Sequence, residues 1–76
     1  MARGYSINTI TAIQQANKEL LGVQLGRLCT DKDIPVSEIA AFTGVSRATV
    51  YSWFKGHHAV ASKHIPKVTE LIEKLS

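Results

Sequence analysis

Apolar residues recur at helical spacing along most of the chain. Leu21, Leu25 and Leu28 fall on one helical face, with Ile10, Ile13 and Leu20 upstream in the same apolar series. Asn8 and Thr9 are both competent N-caps, so a first helix is expected to start there and run towards Thr30. Gly22 and Gly26 each cost about 1 kcal/mol against Ala inside a helix, which makes them the expected place for a kink or break. Asp31-Lys32-Asp33 is a polar connector. Pro35 suits the first turn of a second helix, where its missing N–H is no loss. That helix runs to about Thr43, with Ile39 and Ala40 inward, and Gly44 ends it. Ser46 caps a third helix in which Val50 and Trp53 face the core, and Gly56 stops it. After a loop over His57–Ala61, Ser62 caps a last helix that tolerates Pro66 because it lies in the first turn. Ile65, Val68, Leu71, Ile72 and Leu75 give that helix an amphipathic stripe. The fold class is all-α: four short helices, or five if the first is broken, behind a flexible arm over residues 1–7 that carries Arg3 and Tyr5.

Length narrows the function. Seventy-six residues make one domain, 1–76, whose core is small because a chain of this size buries only roughly 60–65% of its unfolded surface. Such a core leaves little room for a deep pocket, so an enzyme is not expected, nor is a cofactor or a small-molecule ligand. Apolar content of 45% with 20% charged residues is that of a folded globule rather than a disordered chain. No apolar run approaches the roughly 18 residues of a membrane span, and no secretory leader is apparent. The single cysteine, Cys29, rules out an internal disulfide framework. The expected compartment is therefore the cytoplasm, of a bacterium or a phage-infected cell.

Charge distribution says more than the net value of +3. From Ile39 to Thr69 there is no Asp or Glu, yet Arg47, Lys55, Lys63 and Lys67 lie there with His57, His58 and His64. A one-signed field over the middle of a domain attracts polyanions and opposes folding by self-repulsion. A solvated basic face accounts for the charge equally well when nothing else is considered.

The stretch from Val36 to Lys55 adds the second clue. Two short helices that cross at a tight turn need a small residue where they approach, which Ala40 supplies, and a residue free to take positive φ, which Gly44 supplies. Val45, Val50 and Trp53 clamp the pair to the other helices. The opposite face of the third helix (Ser46, Arg47, Ala48, Tyr51, Ser52, Lys55) has neither acids nor aliphatic bulk. A helix with such a face fits a major groove, which admits one helix.

Here the chain resembles the helix-turn-helix of the phage-repressor family (Cro-like, XRE type). The residues that carry the likeness are Ile39-Ala40, Gly44-Val45-Ser46-Arg47, Thr49-Val50, Trp53 and Gly56, supported by Leu25, Leu28 and Ile34. The run Ser46–Trp53 also resembles the DNA-binding ends of resolvases and transposases. The resemblance implies a lambda-repressor-like domain whose helix-turn-helix spans 36–55 and binds double-stranded DNA through the major groove, as a homodimer on a palindromic operator. It implies that Arg47, Ala48 and Ser52 read bases, Arg47 at guanine O6 and N7 and Ala48 at a thymine methyl. Ser46, Thr49 and Lys55 then contact phosphate, and Tyr51 reaches base or backbone. Val36 stands where the family commonly has a Gln that braces the recognition side chains, and Thr43 where a large apolar residue usually precedes the Gly.

Each remaining feature has a plain reading beside a functional one. Trp53 shares a face with Val50 and belongs to the core. Phe54 and Phe42 pack against the first or last helix, or form a dimer interface; Ile72 and Leu75 are core, with dimerisation again the alternative. The three histidines lack a carboxylate or thiol at ligand spacing, so no metal is expected. Cys29 reads as a small buried apolar residue without a base to activate it. Lys63 and Lys67 flank a phosphate path or solvate the last helix, and Arg3 follows DNA or frays. The expected function is a transcriptional regulator. The alternatives are an accessory DNA-binding protein of recombination or packaging, and a protein–protein antirepressor module.

Overall fold

The computed structural model describes residues 5–76, and these are all-helical. The order is α1 (Ile7–Gln15), α2 (Leu21–Asp31), α3 (Val36–Thr43), α4 (Arg47–Lys55), a 3₁₀ turn (Ser62–His64) and α5 (Ile65–Leu75). Among the described residues no strand occurs, and no helix is long and apolar enough to cross a membrane. α2 is the central element and packs on α1, α4 and α5, while α3 lies against α4 and α5. The core between them holds Ile13, Leu25, Cys29, Ile39, Val50, Trp53, Phe54 and Val68.

The first helical stretch is two helices, and the break is not at the glycines. Ala16 turns extended, and the Asn17 side chain accepts a hydrogen bond from the Glu19 amide at 3.0 Å, a local turn that competes with the helix. Gly22 and Gly26 lie inside α2, one turn apart, and let α4 approach. A Cβ on Gly22 would stand 2.7 Å from both Cβ and the carbonyl oxygen of Trp53; one on Gly26 would stand 2.8 Å from Cβ and Cγ of Phe54. Their conformational penalty is thus offset by close packing of two helices. The cap of α1 is Ser6, whose hydroxyl accepts the Thr9 amide, rather than Asn8 or Thr9.

The expected arm over residues 1–7 is corrected from Tyr5 onward. Tyr5 is buried, its ring centroid lies 6.5 Å from that of Phe54, and its hydroxyl donates to the Ile34 carbonyl. Arg3 lies outside the described residues. Ser62 opens the 3₁₀ turn instead of capping α5 directly, and Pro66 does lie in the first turn of α5. Phe54 is fully buried beneath α2 and Tyr5, which removes it from any interface between copies.

Both helix ends around the α3–α4 turn close as their residues dictate. Gly44 has φ 77°, and its amide donates to the Ala40 carbonyl at 2.8 Å. Ser46 accepts the Thr49 amide at 3.1 Å. At the far end of α4 Gly56 also has φ 77°, and the His57 amide reaches back to the Ser52 carbonyl at 2.9 Å, the bond of a left-handed C-cap. The α2–α3 connection uses the same device with Asp33 at φ 60° and an Ile34 amide to Cys29 carbonyl bond of 2.8 Å.

Candidate nucleic-acid interface

α4 divides cleanly around its circumference. Val50, Trp53 and Phe54 are buried, against α2 and its glycines. At about 100° per residue, Arg47, Tyr51 and Lys55 form one outward ridge and Ala48 and Ser52 a second beside it. Arg47, Ala48 and Ser46 are exposed; Thr49, Tyr51, Ser52 and Lys55 are half-buried. Seven of the eight candidate contact residues therefore lie on one helix or its cap.

The ridge is held in shape by local contacts. The Lys55 ammonium sits 5.7 Å from the centroid of the Tyr51 ring, an attraction of about 0.5–1 kcal/mol at an exposed site. Lys55 also lies in the last turn of α4, where the helix dipole favours a cation. Ser46 Oγ is committed twice within the cap, accepting the Thr49 amide at 3.1 Å and pairing with the Thr49 hydroxyl at 3.0 Å, which leaves each hydroxyl part of its hydrogen-bonding capacity open to solvent. The ion pair found among the described residues is Lys74–Glu70 at 2.9 Å, both ends exposed on α5. No acid of the described chain neutralises Arg47, Lys55 or Lys63.

Lys63 stands apart from the other seven. It is exposed on the 3₁₀ turn, whose neighbour His64 leans on Trp53 with ring centroids 5.6 Å apart. The turn is thus attached to the inner side of α4, and among the described residues no hydrogen bond joins Lys63 to the outward ridge. Lys67 is occupied elsewhere: its ammonium donates to the Phe42 carbonyl at 3.3 Å and sits 5.9 Å from the Phe42 ring centroid. That carbonyl lies at the C-terminal end of α3, where an ammonium is favoured. Val36 is buried at the start of α3. Thr43 is buried too, and its hydroxyl is satisfied by the Ile39 carbonyl at 2.7 Å.

Sequence reasoning passed over two features. Tyr5 precedes the Ser6 cap, and Ile10 stands at the fourth helical position; apolar residues at those two places are the pattern that pins a chain to its helix. That pattern was a usable signal. The contact of Phe42 with two lysines of α5, Lys67 and Lys74, each 5.9 Å from its ring centroid, had none, since it joins residues 25 and more apart. Cys29 is fully buried, and burial together with the charge of Glu38 pushes its thiol up to about 12. Such a thiol stays protonated and unreactive near neutrality. Among the described residues no three His, Cys, Asp or Glu side chains gather as a metal site. Compared with protein-family models, curated proteins and solved structures, the chain finds no match.

Proposed function

We propose that this chain is a sequence-specific double-stranded DNA-binding transcription regulator that lays α4 in the major groove and acts as a homodimer. In this reading α3, the Gly44–Ser46 turn and α4 form the helix-turn-helix expected over 36–55. One observation carries it: the outward arc of α4 presents Arg47 and Lys55 with no acid nearby, while the opposite arc is locked into the core by Val50, Trp53 and Phe54. A recognition helix needs that combination, because base readout requires side chains held in register by a rigid backing. Arg47, at the first helical position, reads a guanine edge; Ala48 and Ser52 face neighbouring bases; Ser46, Thr49 and Lys55 bind phosphate, with Tyr51 beside them. Lys63 serves a more distant phosphate or none.

Reading two half-sites takes two copies. The described chain measures 30 Å along its longest axis, shorter than the roughly 34–36 Å between successive half-sites on one face of the duplex. One copy cannot present two reading helices to consecutive major grooves.

The test is selection of bound sites from random duplex, followed by titration of variants on the selected site and on random DNA at several salt concentrations. Arg47→Ala is expected to lower specific affinity by about 1–3 kcal/mol and to relax preference at one base pair. Lys55→Ala is expected to weaken all sequences alike and to reduce the salt slope by about one. A chain that selects no site and binds no duplex in a salt-dependent way would refute the reading and favour a protein–protein module.

A further inference from the structure

Away from α4, a second surface is built for contact. An apolar groove of about 220 Å³ runs between α3 and α5, lined by Ile34, Glu38, Ile39, Phe42, Leu71 and Leu75. Phe42 is 37% exposed there, so part of its ring faces the groove uncovered. Its ring is steadied from the α5 side by Lys67 and Lys74. The two banks differ in sign. The α3 bank carries Glu38; the α5 bank carries Lys67 and Lys74, with Glu70 paired to Lys74. None of the lining residues belongs to α4, so an occupant here leaves the outward ridge free.

We propose that this groove is the face on which two copies of the chain meet, about a two-fold axis that runs along the groove. A two-fold interface places the same patch on both copies. With the axis along the groove, each α3 bank faces the other copy's α5 bank, so Glu38 meets Lys74 of the partner subunit. Phe42 of each copy then covers the apolar floor formed by Leu71 and Leu75 of the partner subunit. A patch with banks of opposite sign is complementary to itself in this orientation. A purely acidic or purely basic ligand would meet a like charge on one bank.

The proposal rests on the two-copy part of the DNA-binding reading, and it is tested without DNA so that each can fail alone. Sedimentation equilibrium of the full chain at submillimolar concentration is expected to give a dimer. Glu38→Lys and Lys74→Glu, both exposed positions, should each weaken association by about tenfold or more; Lys74→Glu also gives up its pair with Glu70, so each variant is compared at a temperature where its helical content equals the parent's. Combining the two exchanges the banks and should restore the dimer. A monomeric parent chain, single variants that still dimerise, or a double variant that does not recover would each overturn the proposal. Salt-dependent binding of random duplex, measured on the same proteins, reports separately on α4 and is expected to survive in all three variants.

Discussion

α1 and α4 begin alike and end in different roles. Each is nine residues long and capped by a Ser whose hydroxyl accepts the amide three residues on, from Thr9 and Thr49 respectively. Their caps have the same dihedrals, φ −72° and ψ 158°, and each cap is preceded by an apolar residue, Tyr5 or Val45. Yet α1 buries one residue of its own, Ile13, and leaves Ile7 66% exposed, whereas α4 buries three. α1 carries no charged side chain, whereas α4 carries two cations and no acid. A capped, outward-facing helix is thus an ordinary part of this fold. What singles out α4 is a rigid back and an unneutralised front on the same nine residues.

The largest effect should come from removing the rigid back. Gly22→Ala with Gly26→Ala would gain helix propensity in α2 but drive Cβ atoms into Trp53 and Phe54. The net expectation is a loss of about 3 kcal/mol or more in urea denaturation, enough to unfold much of a marginal domain. Gln14→Ala on α1 should stay within about 0.5 kcal/mol. Equal, small effects for both would mean that α4 is no better anchored than α1.

Alkaline pH attacks the core, where Tyr5, just ahead of α1, meets Phe54 of α4 and where Cys29 of α2 is buried. Both groups are raised in the fold, the phenol above its ordinary value and the thiol to about 12, chiefly by burial. The unfolded chain therefore releases protons first as pH climbs past about 9, the thiol's ordinary value. The native state retains them, so the stability they contribute is whole below that pH and is lost as pH rises towards the folded values. Urea midpoints from neutral to strongly alkaline pH should fall, less steeply in Cys29→Ala; a flat profile in the parent would contradict the buried placement.

The caps offer the sharpest comparison. Ser6→Ala and Ser46→Ala should each lower stability by about 1 kcal/mol, since the hydrogen bonds they remove are the same. In the proposed DNA-binding reading only Ser46→Ala should also weaken binding to duplex DNA; a comparable loss in Ser6→Ala would argue against contact through α4 alone. The smallest effect is a gain. Asp33→Gly relieves a left-handed aspartate at the C-terminal end of α2 and is expected to raise the melting temperature by about 2–4 °C. A decrease would show that the Asp33 side chain stabilises the turn by more than its strain.

How far the residues alone could be read follows from the range of each interaction. Gly44, Ser46 and Gly56 act within one turn of chain, through a positive φ or a single backbone amide, so their places were legible without a structure. The same holds for the inward direction of Val50 and Trp53, which helical spacing sets. The fates of Gly22, Gly26 and Tyr5 were misjudged because each depends on a distant partner: Trp53, Phe54 and the Ile34 carbonyl. A glycine reads locally as a weak point, and only the arrival of a second helix makes it a contact.

The amino-acid order by itself determined the helical class, the turn between α3 and α4, and the acid-free composition of α4's outer face. These depend on propensity, capping and charge, which travel with the residue. Tertiary packing alone decided that α4 is braced by the glycines of α2, that Tyr5 closes the core, and that two lysines of α5 reach the Phe42 ring beside a groove. Those outcomes require side chains far apart in sequence to meet within a few ångströms, and no short window of the chain contains both partners.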